Sequence, residues 1–479
     1  MNESETARPS RSFRDREVIV LSAILLLALA LRLWNLGEGL WFDEVKTLVE
    51  HVRLPLGELL TTLDSKNRHM LYSVLAKGSI GVLGESASSL RLPAALLGTA
   101  SLGALYVFGR FVTIRREALL ATLLLAVSYH HVWFSQNARG YTGLLLFTLL
   151  ASYEFLRILD TERPAPAYSP YLYGLWVGFA MYTHLTGAVV PAAHFLILAW
   201  LVITGRRKAG QAGIGLIVAG VITLLLYAPV LTQLGSTLFS SSVGGATIEW
   251  QNPVWALTEA LSVLGRGVPG GALTVSVVLL VPLAGAVSYA RSSPVVAAVM
   301  LLPAVLTGVA IVLAGQNLWP RFFFFSAGFA ALFLMRGLSL LGQLFGGRRS
   351  GRLATGMAAA AVLASALTVP RAWGPKQDFE GAADWVAEQA ASGDAIVAVD
   401  MTYLPSELLG REWPPAMSLD DLEREERTGA RTWILYTFPP FLKTEFPDLW
   451  EKIDSEYETA REFYGTLSGG VVIVAVRDE

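Results

Sequence analysis

The fold class this sequence predicts is mainly α: a polytopic helical membrane protein of about eleven spans, with interfacial helices and a small external α/β domain at the C-terminal end. Three observations predict it. The 479 residues are 53% hydrophobic and only 16% charged, with a mean hydropathy of +0.49, too apolar and charge-poor for a soluble chain of this length. Apolar runs of spanning length recur from residue 18 to residue 370, and between Arg163 and Pro370 the only acidic side chains are Glu249 and Glu259. The charge then changes sign along the chain. Residues 1–370 carry 27 Lys and Arg against 17 Asp and Glu, whereas residues 371–479 carry 10 against 22. Two regions suited to different solvents therefore share one polypeptide. The basic excess is scattered between apolar runs rather than gathered on one face, which argues against nucleic-acid binding. The absence of Cys excludes disulfides, thiolate catalysis and Cys-ligated metal sites.

Taken in order, residues 1–17 read as a cytoplasmic tail carrying Arg8, Arg11, Arg14 and Arg16. The first run, 18–36, is long enough to span and leads into Gly37-Glu38-Gly39-Leu40 without a small-x-small cleavage pattern, so it reads as a retained helix and not a signal peptide. Further runs lie near 90–109, 118–134, 141–158, 170–184, 187–204, 212–231, 271–290, 295–314, 322–340 and 353–370. With the N-terminus cytoplasmic, seventeen Arg and Lys fall on the inner side, against Arg139, Arg266 and Arg321 in the outer loops beyond the first. The positive-inside rule then sets the orientation, in the plasma (inner) membrane, and an odd number of spans puts the C-terminal domain outside.

Within this 18–370 membrane domain, two external loops are long. The loop 37–89 contains Met70 to Leu83, apolar but too short and too interrupted to span, which reads as a helix lying in the interface. The loop 231–271 begins with the Gly- and Ser-rich stretch Gly235 to Gly245, composed like a mobile lid. In residues 371–479 the pattern becomes that of a soluble α/β unit: helical spacing in Phe379 to Ala391 and Phe446 to Ile453, and strand-like runs in Ala395 to Val399, Thr432 to Tyr436 and Gly470 to Val476. The charge cluster Asp420 to Arg427 reads as a solvated face.

The inner loops offer no nucleotide chemistry. They lack a Walker A pattern and an Asp-x-Asp, and Gly213-Ile214-Gly215 lies inside an apolar run with no preceding strand, where it reads as helix packing. Polar groups instead recur at the outer ends of spans. Asp43-Glu44, flanked by Trp41 and Phe42, follows the first helix directly and is either a solvated acidic loop or a functional pair. The connector His130-His131-Val132-Trp133-Phe134-Ser135-Gln136-Asn137-Ala138-Arg139-Gly140-Tyr141 holds more hydrogen-bonding groups than a connector needs, and is either an interface anchor or a site. Tyr182 and His184 close the fifth run, where His184 reads first as a simple helix cap and otherwise as part of a site. Arg321, in the short loop after Asn317, is either a headgroup contact or a specific phosphate ligand.

These residues carry a resemblance. Leu40-Trp41-Phe42-Asp43-Glu44, Asn67-Arg68-His69-Met70-Leu71-Tyr72, Leu83-Gly84-Glu85 leading to Leu90-Arg91-Leu92-Pro93-Ala94, Ser135-Gln136-Asn137-Ala138-Arg139-Gly140-Tyr141 and Tyr182-Thr183-His184, in that order, resemble the GT-C membrane glycosyltransferases, in the branch of protein O-mannosyltransferases and lipid A aminoarabinose transferases. Relatives often carry Pro where this chain has Met70, and their acceptors vary, so no acceptor is carried over. The resemblance implies transfer of a monosaccharide from a polyprenyl-phosphate-linked donor to an acceptor (lipid, glycan or protein) on the outer face. Such a donor places its phosphate at headgroup level, which needs cations there and a carboxylate for the acceptor. On this reading Asp43 is the general base beside Glu44, Arg139, Arg321 and Arg266 bind the donor phosphate, and His69, Tyr72, His131, Gln136, Tyr141, Tyr182 and His184 position substrate. No metal is assigned, although a divalent ion between the paired carboxylates and nearby His is conceivable. The alternative is a multi-span transporter or flippase of lipid-linked sugars, and a third reading is a scaffold presenting the acidic domain.

Overall fold

The computed structural model describes residues 11–64, 68–239 and 253–478. It is mostly helical, with one small sheet near the C-terminus. Each of the eleven apolar runs folds mainly as helix. By length and composition, seven helical stretches among the described residues are able to cross a membrane, or eight if a bent pair is one span, a smaller count than eleven. The difference has local causes. Ser169–Thr183 is only 15 residues long, and Arg11–Leu33 carries Arg16, Glu17 and Arg32. Two packed helices, Ala327–Gly346 and Ser350–Ala366, fall within a single stretch, Pro320–Trp373.

The bent pair is Arg115–Ala126 and Tyr129–Ser135, which meet at 60°. Helix C-termini leave carbonyls without partners, and here the fully buried Arg32 supplies them. Its guanidinium donates to Ala126 O (3.1 Å) and Leu125 O (3.4 Å), and to Ala28 O (2.7 Å) in its own helix. Arg32 thus braces the turn through which the chain enters the short second helix and the polar connector behind it.

The first long loop contains Phe42–Lys46, a π-helical turn Thr47–Val52, Leu56–Thr61 and the apolar helix Met70–Leu83, the last with the bounds expected. The second long loop differs from the expectation. Leu231–Phe239 and Pro253–Arg266 are helices, the first hidden by its Gly, Ser and Thr content and the second opened by a proline, which suits a helix N-terminus. The remainder of the expected lid, Ser240 to Gly245, lies outside the described residues.

Toward the C-terminus, β1 (Ala395–Val399), β2 (Pro415–Ala416), β3 (Arg431–Thr437), β4 (Glu458–Phe463) and β5 (Val472–Asp478) form a sheet of order β2-β1-β3-β5-β4. β1 runs parallel to β2 and β3, with Ala398 opposite Leu435, while β5 runs antiparallel to β3 and β4. Helix Phe379–Gln389 packs on one sheet face through Phe379, Ala382 and Val386, and helix Pro447–Glu456 covers the other through Leu449 and Ile453. The charge cluster folds as helix Leu419–Glu426, burying Leu422. Phe42 packs into the first of these cores, so the sheet region rests on the segment that carries Asp43.

Candidate active site

Asp43 occupies the first turn of the short helix Phe42–Lys46, held in place from several sides. Trp41 Nε1 donates to Asn137 Oδ1 at 3.2 Å and Phe42 N donates to Gln377 Oε1 at 3.1 Å. Glu44 is fully buried: its carboxylate accepts Arg91 Nε at 2.8 Å and the Ala138 amide at 2.7 Å. Arg91 reaches on to the carbonyls of Leu36 and Gly39 at 3.1 and 2.8 Å. Burial alone would raise the Glu44 carboxyl, but Arg91, Lys376 and the hydrogen bonds outweigh it and hold the group below the usual carboxylate range. Glu44, expected beside Asp43 as a catalytic residue, thus has its oxygens engaged in joining the Asp43 helix to Arg91 and to the connector that carries Arg139.

Asp43 is different. Its Oδ2 lies 3.8 Å from both Arg139 Nη2 and Arg321 Nη1, too long for hydrogen bonds, and makes no hydrogen bond of its own. Three residues from three distant parts of the chain therefore meet at one point. Beside them is a cavity of about 210 Å³ lined by Asp43, Asn137, Tyr141, Glu259, Arg266 and Arg321 together with an aromatic floor that includes Trp133 and Phe134. Arg321 also lies 5.1 Å over the Trp319 ring.

His69, Tyr141 and His184 form a ring cluster with centroids 4.8–5.6 Å apart. His69 Nδ1 faces the Gly140 amide at 3.3 Å and Thr183 O at 3.2 Å, engaging one or the other according to tautomer. Burial, then Arg139 and His184, hold this imidazole well below its ordinary pKa, so it is neutral. Position 140 must be glycine for this approach, since a Cβ there would lie 2.6 Å from Thr183 Cγ2 and 2.9 Å from His69 Nδ1. His184 Nδ1 is taken up by Thr186, from both its amide and its hydroxyl (3.1 and 2.8 Å), as in the helix-cap reading.

Other expected substrate contacts lie elsewhere. Tyr72 is buried and donates to Leu90 O at 2.6 Å. His131 Nδ1 lies 2.7 Å from Arg32 and its Nε2 3.0 Å from Ser101 Oγ, so it stiffens the kink. Gln136 donates to the carbonyls of Arg32 and Trp34. Tyr182 packs on Tyr227. None of these four lines the cavity. Arg266 does line the cavity, but its Nη1 donates to Thr466 O.

Two residues were not anticipated. Lys376 is buried, donates to Gln136 O at 2.6 Å and sits 5.4 Å over Trp133. Gln377 joins Phe42 N to Thr437 Oγ1, which its Nε2 reaches at 3.1 Å. No sequence pattern marks a lone Lys-Gln after the last apolar run, and only the fold brings it beneath the site. The described residues bring together no group of three His, Asp or Glu able to hold a metal ion. With Glu44 turned onto Arg91, a divalent ion does not fit at Asp43-Glu44.

The dolichyl-phosphate-mannose-protein mannosyltransferase family model matches residues 68–232. No curated protein sequence matches the chain. Among solved structures, ArnT from Cupriavidus metallidurans in the apo state aligns with a TM-score of 0.57 at 13% identity, covering 96% of this chain and 97% of that one. The same protein bound to undecaprenyl phosphate aligns at 0.54 and 14%, with the same coverage. The oligosaccharyltransferase AglB from Archaeoglobus fulgidus, in complex with an inhibitory peptide and a dolichol-phosphate, aligns at 0.56 and 13%, covering 97% of this chain and 74% of that one.

Proposed function

We infer that the likeness in fold to ArnT over nearly the whole chain, together with the family model over residues 68–232, supports the resemblance to the GT-C membrane glycosyltransferases expected from the sequence. We propose that this multi-span membrane protein transfers a monosaccharide from a polyprenyl-phosphate-linked donor to an acceptor on the outer face of the membrane. The observation that carries the reading is the meeting of Asp43 with Arg139 and Arg321, at a point where Asp43 and Arg321 line the cavity and Arg139 is buried beside Asp43. Two guanidiniums offer the fork geometry that suits phosphate oxygens. When a donor phosphate takes them up, Asp43 is released from both and is left facing the cavity to accept the proton of the incoming hydroxyl. The new bond forms at the anomeric carbon as its bond to the phosphate oxygen breaks, and Arg139 and Arg321 stabilise the charge gathering on the departing polyprenyl phosphate. The neutral ring cluster of His69, Tyr141 and His184 shapes the surroundings without adding charge.

The orientation belongs to the same proposal: eleven spans, a cytoplasmic N-terminus, and the site and sheet region outside. Transport is the weaker reading, because Asp43, Arg139 and Arg321 gather at helix ends rather than at mid-span, where transporters commonly bind. Incubating the purified protein with labelled polyprenyl-phosphate sugars and candidate acceptors separates the two. Transfer predicts a covalent sugar–acceptor product; labelled donor moved across a vesicle bilayer with no product overturns it.

A further inference from the structure

The cavity beside Asp43 has a second wall, built from the sheet region: Met401, Phe438, Phe441, Thr466, Leu467 and Ser468. β1 and β3 are parallel neighbours, and the chain leaves each through a residue that is not glycine but has positive φ, Asp400 at 46° and Phe438 at 50°. For a bulky aromatic this is an outlier, and at Phe438 it is doubly unfavourable because Pro439 follows, a neighbour that normally holds the preceding residue extended. Strained backbone persists where surrounding structure over-determines it, and it clusters at ligand sites. The carboxyl ends of parallel strands in open α/β sheets are also where ligands bind. Here that edge is held over the Asp43 helix by Gln377, which bonds Phe42 N on one side and Thr437, the last residue of β3, on the other.

The chemistry of this wall is nearly all hydrocarbon. The hydroxyl of Thr466 is already used, accepting Trp133 Nε1 at 2.8 Å and donating to Pro375 O at 3.1 Å, and its carbonyl receives Arg266. Ser468 is the other hydroxyl on the wall. A peptide acceptor needs partners for its backbone amides and carbonyls, and a glycan needs several for its hydroxyls. Met401, Phe438, Phe441 and Leu467 can meet neither need, but can bury an uncharged hydrocarbon chain.

We infer that the rim formed by Met401, Phe438, Phe441 and Leu467 is the acceptor subsite, and that it takes a lipid alcohol whose hydroxyl reaches Asp43 while its hydrocarbon lies against the rim. This rests on the transferase reading above and adds the acceptor class to it.

The test uses the full-length protein in phosphatidylcholine nanodiscs with a diazirine-bearing hexadecanol, followed by irradiation and mass spectrometry. Adducts are expected on Met401, on Phe438 to Phe441 and on Leu467, undiminished by added undecaprenyl phosphate. In a transfer assay the hexadecanol should receive labelled sugar, and Phe441→Ser and, separately, Met401→Gln should each raise its KM roughly tenfold, with donor KM unchanged. Adducts confined to the spanning helices overturn the inference, as does displacement by undecaprenyl phosphate, which would assign the rim to the donor's own tail. Sugar arriving on a serine peptide or an oligosaccharide but not on the alcohol overturns it too, while leaving the transferase reading intact. Rim adducts in a protein that consumes no donor would instead sink the transferase reading and leave a lipid-binding rim.

Discussion

Asp43 and Glu44 are adjacent in sequence, yet opposite in circumstance. Consecutive helical side chains point in different directions: one carboxylate faces the cavity between Arg139 and Arg321, and the other is buried on Arg91. The presence of both acids was legible in the sequence. The division between them was not readable from spacing, because it depends on Arg91 arriving from a helix 47 residues away. Glu44→Gln should therefore act on folding rather than chemistry. Leaving Arg91 buried without its counter-charge costs about 3–5 kcal/mol in comparable cases, so the expected result is a sharply lower melting temperature, read by thermal denaturation in detergent. Replacing Arg139 or Arg321 by Ala should weaken donor binding, and by Lys less so, since a point charge cannot hold two phosphate oxygens at once. Unchanged donor affinity in both Ala variants would make these residues headgroup anchors. Lys376 gives a pH signature. Burial, and then Arg91, lower its pKa from 10.5 to about 7, so between those values the unfolded chain binds a proton that the folded chain does not, and stability rises with pH across that window. Between about pH 6 and pH 9 the parent should gain melting temperature relative to Lys376→Met; a pH-independent difference would mean that the amine is not held in this state.

At the scale of elements, legibility followed periodicity and length. The spanning runs and Met70–Leu83 were readable because an apolar helix needs no partner to betray it, and β1, β3 and β5 because β-branched and aromatic runs mark buried strands. Strand β4, Glu-Thr-Ala-Arg-Glu-Phe, was not: it is an edge strand, exposed along most of its length, and its sequence has no apolar face. The 60° turn after Ala126 was also invisible, since Arg32, which braces it, belongs to the first helix. That turn delivers the connector carrying Arg139, so Arg32→Met should cost both stability and turnover while leaving Asp43 chemically intact. A variant with parental turnover would show that the kink stands without its brace.

For the whole molecule, the sequence made the class, the membrane setting and three of the converging residues legible, but not the part played by the C-terminal region. No motif announces that Lys376, Gln377 and Phe438 come to lie close to Asp43, since each is brought there by contacts between segments far apart in sequence. The charge asymmetry of the loops predicts that a C-terminal reporter active only outside the cytoplasm will be active, and that one active only inside will not. The central claim, that Asp43 is the base of a sugar transfer whose donor phosphate is held by Arg139 and Arg321, is tested most directly by Asp43→Asn. The measurement is release of polyprenyl phosphate and formation of glycosylated acceptor, alongside donor affinity, in purified full-length protein. Turnover is expected to fall by about 10²- to 10⁴-fold, the usual contribution of a positioned general base, with donor binding retained. Asp43→Asn protein that transfers sugar at close to the parental rate would contradict the account.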